Sequence, residues 1–274
     1  MFKLNKIGVQ SYCFKEFLDN EVVAKKVKEI GLDAIEICEV HADFNDLENW
    51  KDIVKIYQSH NISIVSIGVQ TFVGNDKERQ WFECAAAAGA KHISAHFKVN
   101  SFEKAIKKVK YWCDEYNIKV GIHCHGGYMF GGSPDVIDYI LKIGGPQIGL
   151  CLDTGWAMQI GPEHGNPLDW VVKYGDKIYG VHLKDFLFDK NAQWQDVIIG
   201  NGNLPLNKTI CLLSGRASFE LIQKAMMAGI GCIVAVGAPS SLAIKLAEEC
   251  GMTLIGFLKS EGGNVYCGKE RVNI

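Results

Sequence analysis

Carboxylates and imidazoles recur at the ends of short β-branched runs. Glu36 and Glu39 close "AIEICE", and His96 closes "HISAHF". His123 and His125 stand in "GIHCHGG", Asp153 ends "LCLD", and His182, Lys184 and Asp185 follow in "GVHLKD". Residues two apart on a strand share a face, so His123 and His125 can point the same way, as can His182 and Lys184. Imidazole with carboxylate suits Zn²⁺, Mn²⁺, Co²⁺ or Fe²⁺, and suits Mg²⁺ less well. A shared metal centre explains why the same residue types return at the same end of three successive strands. Plainer readings stand beside it. His92, at the start of its run, reads as a hydrogen-bonded core residue. His41, His60 and His164 read as solvated, Glu36 as a loop anchor, and Trp156 as packing at a helix start.

The elements that must carry these residues follow one rhythm. An amphipathic helix stops at Gly and a β-branched strand follows, as in "KKVKEIGLDAIEIC", "CAAAAGAKHISAHF" and "YILKIGGPQIGLCLD". Gly accepts the left-handed conformation that terminates a helix. Short apolar runs between helices indicate parallel strands buried on both faces. Strands are expected near 6–12, 33–39, 62–69, 92–97, 118–125, 148–153 and 178–184. Helices are expected near 20–30, 45–60, 76–89, 101–116, 134–143 and 167–175. This α/β alternation predicts a (β/α)8 TIM barrel, with a doubly wound open sheet as the competing architecture. The absence of a G-x-G-x-x-G after the first strand, and of a P-loop, removes the usual reasons for an open nucleotide-binding sheet. Residues 185–206 lack helical periodicity and carry turn signals at Asp189-Lys190-Asn191 and Gly200-Asn201-Gly202, which predicts a long loop or small hairpin.

Composition bounds the function. The chain has 274 residues, enough for one barrel or two smaller domains, and a net charge of −2 that offers no basic field for nucleic acid. No apolar run approaches the roughly 18 residues of a membrane span. "MFKLNKIGVQSYCF" lacks the long apolar core of a signal peptide. The ten cysteines are scattered without a C-x-x-C pair, which reads as reduced, buried thiols in a cytoplasmic protein. A homo-oligomer is left open.

Residues 1–206 resemble the sugar phosphate isomerase/epimerase superfamily, the xylose isomerase-like TIM barrels. The resemblance is carried by "EIGLDAIEI", "IHCHGGY", "IGLCLDTGWA", "YGVHLKDF" and "IIGNGNL". It implies a divalent metal (Mn²⁺, Zn²⁺, Co²⁺ or Mg²⁺) and isomerase or epimerase chemistry through an enediolate on a sugar, sugar phosphate or polyol-derived ketone. It implies Asp153 and His182 as metal ligands, with His125 near a position where many members carry a glutamate. Glu36, His123 and Lys184 are then the catalytic candidates. His96, Trp156 and Asp185 are the substrate-binding candidates. The glutamates that members often carry on strands five and eight are not evident.

Residues 207–274 change character. "SGRASFELIQKAMMAGI", "GAPSSLAIKLAEECGMTLIGF" and "NVYCGKERV" resemble the C-terminal end of the FdhD family, formate dehydrogenase accessory sulfurtransferases. That family's Cys- and Gly-rich sulfur-carrying loop is not found here, and the four tail cysteines read as buried structural thiols. The chain therefore reads as a fusion, with its seam near Leu206 to Thr209. The FdhD-like segment either completes the barrel, with 231–237 as strand eight, or forms a small lobe. Where the strand-eight glutamate would stand, "IVAVGAPSS" holds no acid, so weakened metal affinity and impaired turnover are expected. An FdhD-like sulfurtransferase accessory role and a non-catalytic fusion product are the alternatives.

Overall fold

A computed structural model of the chain describes residues 7–125, 132–206, 209–260 and 262–272. Seven of the apolar runs become strands of one parallel sheet in sequence order. They are β1 (Val9–Gln10), β2 (Ala34–Ile37), β3 (Ser63–Phe72), β4 (His92–Phe97), β5 (Lys119–His123), β6 (Ile148–Asp153) and β7 (Ile178–His182). Between them run α1 (Asn20–Glu29), α2 (Leu47–Ser59), α3 (Arg79–Ala88), α4 (Phe102–Tyr116), α5 (Pro134–Gly144), α6 (Thr154–Ala157) and α7 (Pro167–Tyr174). The helix starts follow from local chemistry. Asp19 accepts the Glu21 amide at 2.8 Å and Asp46 accepts that of Asn49 at 3.0 Å, each satisfying a donor that the helix cannot. Helix α3 ends at Gly89, whose φ of 72° is the left-handed cap expected of that glycine.

The sheet is curled. Glu36 on β2 and His182 on β7 approach to 3.0 Å. In a flat sheet, five strand spacings of about 4.8 Å would hold those strands roughly 24 Å apart. Curling brings the strand ends to a common axis, as barrel architecture requires. The buried β-branched residues Ile35, Ile37, Ile67, Ile93, Val120, Ile122 and Ile148 join helix residues such as Val27, Trp50, Phe82 and Val109 in one core.

By compactness the chain divides into two units, Met1–His182 and Leu183–Ile274. The second unit begins with a small antiparallel pair, β8 (Phe186–Phe188) and β9 (Trp194–Asp196), so the stretch after β7 is the small hairpin that its turn residues predict. Asp189 makes that turn by accepting the amides of Asn191 and Gln193 at 2.8 and 2.9 Å. A four-stranded sheet follows in the order β10 (Ile210–Leu213), β11 (Cys232–Ala235), β12 (Thr253–Lys259), β13 (Gly262–Cys267), with α8 (Phe219–Met227) and α9 (Ser241–Glu249) as its helices. Ser218 and Ser240 cap these helices through the amides of Leu221 and Ala243.

The expected eighth barrel strand is corrected here. Cys232–Ala235 pairs in parallel with β10 and β12, and among the described residues it pairs with neither β1 nor β7. The physical reason is a private core. Ile222, Ala225, Ile233, Ala235, Ala243, Ala247 and Leu254 bury one another, so the tail has an apolar core of its own. Among the described residues the four-stranded sheet is separate from the seven-stranded one. Loop residues 185–206 resemble the barrel family in sequence yet belong by compactness with the C-terminal unit.

Candidate metal centre

The polar residues gather where β2, β4, β5, β6 and β7 end on the inside of the curl. Register aligns them: His123 stands opposite Cys151, and Asp153 opposite His182. His123 Nε2 lies 3.3 Å from Asp153 Oδ2. The His123 and His182 rings are 5.1 Å apart at their centroids. His123, Asp153 and His182 each offer a ligand atom, and those atoms all lie within 4.8 Å of one another. Two donors on one ion at about 2.1 Å sit roughly 3.3 Å apart when the bond angle is near about 100°, so His123 and Asp153 already stand at the spacing of two ligands on one ion. Asp153 is fully buried and is oriented from one side, because its Oδ1 accepts the Trp156 amide at 2.9 Å while Oδ2 faces His123.

Support for these side chains comes from a second ring of contacts. His96 Nε2 is 3.1 Å from His123 Nδ1, which orients the imidazole. Burial pushes His96 down to about 3, with the His123 and His125 rings adding to the effect, so it is a neutral hydrogen-bonding group. Glu36 is buried and saturated. Gln10 Nε2 donates to its Oε1 at 2.7 Å, Ser94 Oγ donates to its Oε2 at 2.6 Å, and His182 Nε2 pairs with Oε1 at 3.0 Å. Burial alone would raise the Glu36 pKa, but the His182 charge and hydrogen bond, with help from Ser94, hold it well below the usual carboxylate range. Burial opposes a charge on His182 too, but Cys151 and Glu36 beside it push its pKa well up. Burial would raise the Cys151 thiol, yet His182 and His92 pull it down to about 6.

The structure places each expected residue. Asp153 and His182 come together, and His123 joins them. The nearest match to the predicted ligand trio thus has His123 where His125 was expected. His125 stacks on Trp156, with ring centroids 3.7 Å apart and planes at 27°, so Trp156 packs against a histidine at the start of α6. Glu36, a catalytic candidate, meets His182, and its described bonds hold it ionised. Asp185, a substrate-binding candidate, organises the following loop. It is buried, its Oδ2 accepts the amides of Gly200 and Gly202, and its Oδ1 accepts that of Leu204. Its carboxylate is consumed by backbone. Lys184 sits over the Phe186 ring at 4.7 Å within the C-terminal unit. His164 is exposed as expected, but His41 is buried, with Nε2 2.8 Å from the Phe17 carbonyl oxygen. The Gly126-Gly127-Tyr128 part of the strand-five motif lies outside the described residues.

Four residues escaped sequence reasoning: Gln10, Ser94, Cys151 and Gln70. Cys151 was recoverable, because it precedes Asp153 by two and so shares its face. Gln70 is buried on β3, and neither of its amide atoms has a hydrogen-bond partner among the described residues.

With this geometry in place, likeness to known proteins is decisive for the first unit. The model of the xylose isomerase-like TIM barrel family matches residues 24–217. The chain belongs to that family. A xylose isomerase-like TIM barrel protein from Mycobacterium smegmatis, solved in complex with magnesium, is 13% identical, with 92% of this chain and 99% of that chain covered at a TM-score of 0.59. A 3-keto-D-glucoside 4-epimerase from E. coli is 14% identical, with 89% and 97% covered at a TM-score of 0.54. At such identities these two barrels share the fold. The second unit matches elsewhere: residues 196–273 fit the FdhD/NarQ family. The sulfur carrier protein FdhD of Streptomyces avermitilis is 60% identical over 72 residues, 26% of this chain and 26% of that protein. The chain thus spans about a quarter of the length of the curated relatives it matches.

Proposed function

We propose that the N-terminal unit is a divalent-metal-dependent isomerase or epimerase of a sugar, sugar phosphate or polyol-derived ketone. The observation that carries this reading is the convergence of His123, Asp153 and His182 at the strand ends of a xylose isomerase-like barrel. A bound divalent ion would supply Lewis acidity for a hydroxy-carbonyl substrate. The chain's own residues hold and orient. His96 fixes the ring of His123, Glu36 fixes His182, and the Trp156 amide fixes Asp153. Gln70 is one buried amide on β3 that a substrate hydroxyl would satisfy, since a buried amide without partners is costly.

The reading includes an impairment. "IVAVGAPSS" carries no acid and lies in the second sheet, so no strand-eight glutamate reaches the metal from it. Metal affinity is accordingly weakened and turnover low. The test combines metal analysis of the purified chain with turnover on a panel of ketoses and ketose phosphates. One equivalent of metal lost in Asp153→Asn, with turnover lost alongside, supports the assignment. Undiminished metal content in that variant sinks it.

For the tail, the 60% identity to a sulfur carrier protein favours a second reading, a retained fragment of the sulfur-transfer fold. Its thiols at Cys211, Cys232 and Cys267 are half-buried and Cys250 is exposed, so they are less enclosed than the sequence suggests. Burial raises the pKa of Cys211, Cys232 and Cys267, which disfavours a nucleophilic thiolate. Persulfide found on Cys232 by mass spectrometry after incubation with a persulfide donor would restore the sulfurtransferase reading.

A further inference from the structure

Beneath the strand-end cluster lies a second group, joined to the first by the Glu36–His182 pair. Glu36 on β2, His92 on β4 and Cys151 on β6 each present a ligand atom, and these atoms lie within 4.8 Å of one another. Interior layers of such barrels are built from alternate strands and are normally filled by Val, Ile and Leu. Here the alternate strands β2, β4 and β6 supply a carboxylate, an imidazole and a thiol instead. Glu36 and Cys151 are buried, at 6% and 0% exposure. Polar groups in that position are costly unless satisfied, and Gln10, Ser94 and His182 already satisfy Glu36, so the donor set is held in place within the fold.

Three further features shape the group. Ser94 Oγ donates to Glu36 Oε2 at 2.6 Å and lies 3.5 Å from Cys151 Sγ, so one hydroxyl braces two of the three donors. Gly180 on β7 lets His92 and Cys151 pack against its backbone, since a Cβ there would stand 2.7 Å from His92 Nε2 and 3.3 Å from Cys151 Sγ. His182, 3.0 Å from Glu36, links this group to the one above it.

We propose that Glu36, His92 and Cys151 form a second, deeper metal site, selective for a borderline-soft ion such as Zn²⁺ or Co²⁺. The thiolate sets the selectivity. Sulfur with imidazole and one carboxylate is a zinc-type donor set, whereas the His123, Asp153 and His182 group above contains no sulfur and accepts harder ions. On binding, the Cys151 thiol gives its proton to solvent and its sulfur bonds to the ion. Ser94 then acts as a positioning residue, holding the carboxylate and facing the sulfur.

The test is a titration of the chelator-stripped full chain with Co²⁺. The wild type is expected to take up two equivalents, one of them with near-ultraviolet thiolate-to-cobalt charge-transfer absorption. Cys151→Ser removes that absorption and one equivalent. Asp153→Asn removes the other equivalent and keeps the absorption, so failure of this site and failure of the isomerase centre give different results. Ser94→Ala keeps the absorption but shifts its titration to about 10–100-fold higher Co²⁺, the usual effect of losing a residue that orients a ligand. Should Cys151→Ser fail to fold, Ser94→Ala and the wild-type spectrum still decide. Wild-type protein that binds Co²⁺ without sulfur charge transfer overturns the proposal. So does absorption that survives in folded Cys151→Ser or titrates unchanged in Ser94→Ala.

Discussion

The two units of this chain share one local grammar and differ in what their strands carry. In Met1–His182, strands β2, β4, β5, β6 and β7 carry imidazole, carboxylate or thiol on their inner faces, and the curl brings those groups within bonding distance. In Leu183–Ile274, β10, β11 and β12 also alternate with Ser-capped helices, but they present Ile210, Leu212, Ile233, Val234 and Leu254. Burial differs as well. Every residue of β6 is buried, whereas Ile210 and Leu212 on β10 are 64% and 63% exposed. The contrast teaches that βα alternation builds a sheet in either case. A site appears only where polar strand ends and curvature coincide.

The comparison breaks most sharply at Asp153. Asp153→Asn is expected to abolish stoichiometric metal binding at the upper group while leaving far-ultraviolet circular dichroism of the C-terminal sheet unchanged, and elemental analysis with spectroscopy checks both. Next come the cores. Phe82→Ala should cost about 3–5 kcal/mol in the first unit, and Ile222→Ala about 2–5 kcal/mol in the second. Denaturant unfolding of both variants shows whether each shifts a separate transition; metal content lost in Ile222→Ala would break the division of labour. A smaller effect is expected at Asp185. Asp185→Ala orphans the amides of Gly200, Gly202 and Leu204 and should cost about 1–3 kcal/mol without changing metal content, measured by denaturant midpoint and metal analysis. The mildest is Ser240→Ala, which removes the cap of α9 for about 1 kcal/mol, readable as a lowered melting temperature of the C-terminal transition alone.

Much of the first unit was legible. The strands expected near 33–39, 92–97 and 148–153 appear as β2, β4 and β6, and helices such as the one near 101–116 appear as α4 (Phe102–Tyr116). Their signals are local: a glycine stop, a capping side chain and a β-branched run. The expected first strand near 6–12 shortens to Val9–Gln10 because residues Ser11–Phe14 turn into a 3-10 helix. The site was legible in its residue types and less so in its partners. Period two places His123 and His125 on one face without saying which reaches Asp153. Lys184 and Asp185 lie within three residues of His182, yet the compact-unit division falls just after His182, and Asp185 spends its carboxylate on loop amides.

The sequence by itself determined the alternating elements, the change of character after residue 206 and the chemistry available at the strand ends. Each of these depends on neighbours within a few residues, where propensity, capping and periodicity act. Only the tertiary structure decided which of those groups meet. Curling carried Glu36 across to His182, set His123 against Asp153, and placed Cys151 with His92 beneath them. It also gave Cys232–Ala235 to a sheet of its own. Those outcomes rest on strand pairing and burial between residues far apart in the chain, where apolar partners and not local pattern choose the neighbour.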